Sequence, residues 1–158
     1  MSKRDPNSLT GTIIVVMSVL LLLGVVFIVA LVNRPAGALN VPKGYDLTHV
    51  TVDDYAIHAP SSLPRGKYEV VLVNHGSVAH ELVMWQTKRP ADALPRRKDG
   101  AVDEESAALE GVLDSGSALQ PGETRILFAD LTTAGHYALV CNLPGHYRLG
   151  MHEDLSVR

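Results

Sequence analysis

The chain has 158 residues, 46% of them hydrophobic, and a formal net charge of −3. That length suits one domain with an appendage. A mildly acidic chain without a basic stripe of interleaved aromatics gives no reason to expect nucleic acid as a partner, and a single cysteine, Cys141, excludes an intramolecular disulfide.

Residues 1–11 read as a short cytoplasmic tail. Residues 12–32 (TIIVVMSVLLLLGVVFIVALV) form an uncharged run of 21 residues. A membrane span needs about 20 such residues, and a core helix of that length would show a polar face. A cleaved signal peptide ending near Ala36-Gly37-Ala38 is the rival reading, but its apolar region is usually about 7–15 residues. An uncleaved signal anchor is the better match. Lys3 and Arg4 flank one side, Arg34 and Lys43 the other, so flanking charge barely sets orientation. The short tail favours a cytoplasmic N-terminus and an exported domain. Residues 33–45 hold two Pro and two Gly, the composition of a tether.

Residues 46–158 show short extended runs between turn signals, the pattern of an all-β sandwich or barrel. Residues 67–74 (KYEVVLVN) are the clearest strand, with Tyr68, Val70 and Leu72 on one face. His75-Gly76-Ser77 turns the chain. Residues 78–85 (VAHELVMW) form a second strand, with His80, Leu82 and Met84 sharing a face. Residues 124–129 form a third and 136–141 (HYALVC) a fourth. In the fourth, Tyr137, Leu139 and Cys141 point the same way, which aims Cys141 inward at a strand end. Residues 46–58 and 153–157 add edge strands.

Residues 86–120 break this rhythm. Asp103, Glu104 and Glu105 precede Ala107, Ala108, Leu109, Val112 and Leu113, and that order predicts one short amphipathic helix ended by Ser115-Gly116. The stretch is expected to be an insertion packed on the β core.

Residues 141–151 read CNLPGHYRLGM, with the spacing Cys-x4-His-x4-Met. Thiolate and imidazole suit copper, and a thioether makes a weak axial ligand. Two histidines, one cysteine and a long axial methionine describe a blue-copper site. The loop supplies Cys141, His146 and Met151, so a second histidine must come from elsewhere. His80 is the candidate, because it lies on the inward phase of its strand. His75 reads as an exposed turn residue, and His49, His58 and His136 as surface histidines. His152 should point away from a metal held by Met151. Met84, a rival axial ligand, reads more simply as core. Tyr137 and Phe128 read as core aromatics, and Trp85 as partly exposed.

The runs VNHGSVAHELVM (73–84) and GHYALVCNLPGHYRLGM (135–151) resemble the cupredoxins, the family of plastocyanin, azurin, auracyanin and sulfocyanin. The resemblance covers residues 45–158 and is nearest to bacterial exported members. It implies a Greek-key β-sandwich with His80, Cys141 and His146 as equatorial ligands and Met151 as axial ligand of one copper ion cycling between Cu(II) and Cu(I). Many electron-carrying members have Asn after the first histidine, where this chain has Glu81. Its backbone N–H can still donate to the cysteine sulfur.

The expected protein is a monomeric, non-enzymatic electron carrier tethered by residues 12–32. Its copper domain faces the extracytoplasmic side, where it meets membrane-bound or extracytoplasmic redox partners. The alternative is copper handling, for tolerance, storage or delivery, without a redox partner. A copper enzyme would need a second copper centre and more chain, and a binuclear site would need a second cysteine.

Overall fold

Alternation of apolar residues dictates most of the architecture in the computed structural model, which describes residues 41–158. The expected tail, the span 12–32 and residues 33–40 of the tether lie outside the described residues. Among the described residues, no helix is long and apolar enough to cross a membrane.

The strands, in chain order, are β1 (Asp46–Asp53), β2 (Ala56–His58), β3 (Ser62–Leu63), β4 (Gly66–Asn74), β5 (Val83–Gln86), β6 (Glu110–Asp114), β7 (Thr124–Leu131), β8 (Gly135–Val140) and β9 (His152–Val157). They form a four-stranded sheet of order β2-β1-β4-β7 and a five-stranded sheet of order β3-β9-β8-β5-β6. The chain changes sheet between β2 and β3, β3 and β4, β4 and β5, β6 and β7, and β7 and β8. β1 and β4 run parallel, as do β3 and β9. The other pairs are antiparallel.

Period-two patterning builds the core. Tyr68, Val70 and Leu72 of β4 face Tyr137 and Leu139 of β8, and Cys141 just beyond it, across one cluster that also holds Val50, Val52, Leu82, Met84 and Met151. Each such buried side chain contributes about 1.5–3 kcal/mol of transfer free energy. The opposite faces of β5 and β8 are apolar too. Val83, Trp85, Ala138 and Val140 pack under Ala91, Leu94, Val102 and Tyr147 in a second cluster. The central strands of the second sheet are thus buried on both sides, which is why HYALVC lacks a polar phase.

Several expectations require correction. The amphipathic helix does not form. Residues 103–109 make isolated turns, with Ser106 N–H donating to Asp103 C=O and Leu109 N–H to Ser106 C=O. Residues 110–114 are instead the edge strand β6, paired with β5 through a bulge at Val112. A helix this short is marginal on its own, whereas β5 offers a free row of backbone donors and acceptors. The remaining helix of the insertion is one 3₁₀ turn, Ala91–Ala93. Trp85 is buried, not partly exposed, because the insertion covers it. Phe128 is 52% exposed rather than core. Its neighbours Ala129 and Leu131 take the inward positions of β7, which leaves Phe128 outside against the edge of Tyr45. The strand expected at 78–85 is regular only from Val83. His80 joins the sheet through an isolated bridge to Leu119.

Candidate metal centre

The end of the sandwich where β4 leads to β5 and β8 leads to β9 brings the sequence-predicted ligands together. Cys141 directly follows β8, and its inward phase leaves it fully buried. Its N–H donates to Met151 C=O at 3.1 Å, and Met151 N–H donates to His146 C=O at 3.2 Å. These bonds close residues 141–151 into one loop. A 3₁₀ turn, Tyr147–Leu149, fills it and ends at Gly150, whose φ of 96° is a left-handed cap that suits glycine. Met151 is fully buried in the same cluster as Cys141.

His80 arrives from the β4–β5 connection. Its N–H donates to Leu119 C=O at 3.0 Å, and its C=O accepts from Leu119 N–H at 2.6 Å. Asn74, at the end of β4, braces that connection. Its side-chain amide donates to Val78 C=O and Leu119 C=O, and its side-chain carbonyl accepts from Gly76 N–H.

The donor atoms converge. Nδ1 of His80 lies 3.2 Å from Nδ1 of His146, and Cys141 Sγ lies 3.3 Å from His146 Nδ1 and 4.0 Å from His80 Nδ1. Among the described residues, these three form a group able to hold a metal ion. Like-polarity ring nitrogens this close, around a sulfur, suit ligands sharing one ion at bond lengths of about 2.0–2.3 Å. Glu81 N–H donates to Cys141 Sγ at 3.4 Å, as expected despite the absence of Asn at that position. The other histidines stay outside this group. His49, His58 and His75 are exposed, and Met84 is core. His136 holds Asp154 at 2.7 Å, and His152 packs on Tyr147.

Burial sets the electrostatics. It pushes the His80 pKa down, helped by the nearby His146, and does the same at His146. Both shifts favour the neutral ring, the form that ligates. Burial raises the Cys141 thiol, against the Glu81 amide that favours thiolate, so metal binding must release that proton. Burial also raises Glu81.

Sequence reasoning missed four supporting residues. Asn142 is buried and accepts from Val102 N–H at 2.6 Å, while its side-chain amide donates to Val102 C=O and to Glu104. Tyr147 Oη donates to Ala91 C=O and accepts from Leu94 N–H. The insertion is thereby tied to the metal loop at two points. Tyr55 sets its ring edge-on to His146, with centroids 5.2 Å apart, and Asp54 holds the Ser77 turn. The usable signal was adjacency to a predicted ligand, Asn142 to Cys141 and Tyr147 to His146. Asn142→Ala strands both Val102 backbone groups and is expected to cost about 2 kcal/mol. Urea unfolding checks this, and proteolysis within residues 87–109 should accelerate in step. A change below about 0.5 kcal/mol contradicts the tie.

A family model described as "Sulfocyanin (SoxE) domain" matches residues 25–158. No curated protein matches the sequence. The fold is similar to auracyanin of Roseiflexus castenholzii, with a TM-score of 0.52, 16% identity, and coverage of 73% of this chain and 99% of that one. Auracyanin A of Chloroflexus aurantiacus, described as a "blue" copper protein, aligns with a TM-score of 0.51, 20% identity and coverage of 73% and 100%. One thiolate, two imidazoles and a buried thioether are the donor set of a single type 1 copper ion.

Proposed function

We propose, from the premise that this chain belongs to the sulfocyanin (SoxE) domain family of the cupredoxins, that it is a single-electron carrier working between membrane-associated redox partners. The observation that carries this reading is the convergence of His80, Cys141 and His146, with only His146 reaching towards the surface. Bound copper supplies a one-electron Cu(II)/Cu(I) couple there, held by His80, Cys141 and His146 with Met151 as the weak fourth donor. The protein's part is to keep those donors in place in both states. Cys141 and His80 are pinned by backbone bonds on two different strand connections, and both are fully buried. His146 is half-buried, and Leu149 beside it is 61% exposed. With Pro144 and Tyr55, these offer a small apolar contact surface of the kind that suits transient redox encounters.

The uncharged run 12–32 supports a single-pass membrane anchor, with the copper domain on the extracytoplasmic face. A tether raises the local concentration of a membrane-bound partner. Membrane fractions that lose the protein on alkaline extraction would contradict that anchor.

Full-length protein loaded with Cu(II) should show intense visible absorption, accept one electron per chain and keep its copper against a mild chelator. Ready loss of copper favours copper handling instead. Met151→Leu removes the thioether, which stabilises Cu(II) more than Cu(I). Copper should stay bound while the potential, read by titration against a redox dye, rises. Complete loss of copper binding would contradict a weak axial role.

A further inference from the structure

His80 carries a buried polar atom without a hydrogen-bond partner. Its Nδ1 faces Cys141 and His146. Its Nε2 is buried and has no hydrogen-bond partner. Ligation through Nδ1 leaves a neutral imidazole with its proton on Nε2. A buried N–H without an acceptor is costly, at about 1–3 kcal/mol.

A carboxylate is at hand. Asp54 Oδ1 lies 3.8 Å from His80 Nε2, under about 1 Å beyond hydrogen-bond reach. The carboxylate is held by Ser77, whose N–H donates to Oδ1 at 2.7 Å and whose hydroxyl donates to Oδ2 at 2.6 Å. A carboxylate oxygen can accept a second donor. The contact is also built around glycine. A Cβ on Gly76 would stand 2.6 Å from Asp54 Oδ1 and 2.9 Å from His80 Nε2, so any side chain there would push into both.

The backbone presenting Asp54 is strained. Asp54-Tyr55 is the two-residue tip of the β1–β2 hairpin. Tyr55 has φ of 69°, the one positive φ at a non-glycine among the described residues. A bulky residue rarely adopts that conformation, and such strain persists where the surroundings over-determine it. Here the Tyr55 ring is set edge-on to both His146 and His80.

We propose that Asp54 is a positioning residue for the metal centre, accepting the Nε2–H of His80 and favouring the oxidised state of the metal held there. The inference rests on the copper reading above. A carboxylate behind a ligating histidine fixes its ring and raises its basicity. Its negative charge also favours the more positive ion. Both effects lower the reduction potential.

The test uses full-length protein loaded with copper. Asp54→Asn keeps an oxygen for the Ser77 N–H and removes the charge. At fixed poise the reduced-to-oxidised ratio should rise about tenfold, about 59 mV for one electron. Asp53→Asn, one residue away, makes the same charge change at a carboxylate that bonds His58 and acts on His80 more weakly than Asp54 does, and should shift the ratio less than about twofold. Equal shifts would reduce Asp54 to a general charge effect, and an unchanged potential in Asp54→Asn would remove its role. Should Asp54→Asn fail to fold, the reduced wild-type protein decides by NMR. A His80 Nε2 proton shifted downfield by a carboxylate acceptor is expected, and a shift like that of an unbonded imidazole N–H overturns the proposal. Wild-type protein without intense absorption would bring down the copper reading itself; blue wild-type protein with an indifferent Asp54 would bring down only this inference.

Discussion

Replacing Cys141 with alanine is expected to abolish the intense thiolate-to-copper absorption and weaken copper affinity by more than about 100-fold, while the β-sandwich still folds. Changes to groups that merely support ligands cost about 10–100-fold, so losing the thiolate itself costs more. The fold survives because Cys141 makes few demands as a core residue. It is a small buried side chain whose polar partners are the two histidines and one amide, and shaving one sulfur costs about 1 kcal/mol of burial. Two measurements separate metal loss from misfolding. The apo variant should unfold within about 1.5 kcal/mol of the apo wild type. Copper at about 100 times its dissociation constant should stabilise the wild type by about 2.7 kcal/mol and the variant hardly at all. Copper-dependent stabilisation that survives in Cys141→Ala would contradict the assignment.

Asn74→Ala has the largest expected effect on stability. Asn74 is fully buried at the end of β4. Its side chain satisfies two carbonyls, of Val78 and Leu119, and one amide, of Gly76. Alanine strands Val78 C=O and Gly76 N–H and leaves Leu119 C=O with the His80 N–H alone, at about 2–4 kcal/mol together, a large share of a typical domain's 5–15 kcal/mol. The site suffers with the fold, because Leu119 is the residue that pins His80. Copper retention should therefore fall even under conditions where the variant is still folded. Asn74→Asp discriminates further. It keeps an acceptor for Gly76 but turns a carboxylate towards two carbonyls, and should be less stable than the alanine variant. Urea unfolding of apo and loaded protein measures both. A loss below about 1 kcal/mol for Asn74→Ala would show that water replaces these bonds.

The ligand loop was legible because its chemistry is local. Cys141, His146 and Met151 lie within eleven residues, and a tight loop cannot scatter them far. His80 was legible by phase, since strand alternation places it with Leu82 and Met84 facing inward, and the structure holds it in that orientation through Leu119. The failed helix at 103–113 shows where local pattern ends. Its acids and apolar pairs fit a helix as well as a strand, and the free edge of β5 decided the matter. Trp85 and Phe128 were misplaced for a related reason. Alternation tells which residues share a face but not what covers it. The insertion covers Trp85, while the outward face of β7 leaves Phe128 exposed.

By itself the sequence determined the β-sandwich and the four donors, because period-two burial and metal-ligand chemistry act over a few residues. Only the tertiary structure decided how those donors are supported. Asn142 and Tyr147 meet the insertion across separations of 38 to 56 residues. Asp54 and Tyr55 come to His80 and His146 from a hairpin tip on the other sheet. Such contacts depend on which strands pair and which loops share an end of the sandwich. That is a property of the packed chain as a whole, and no local spacing encodes it.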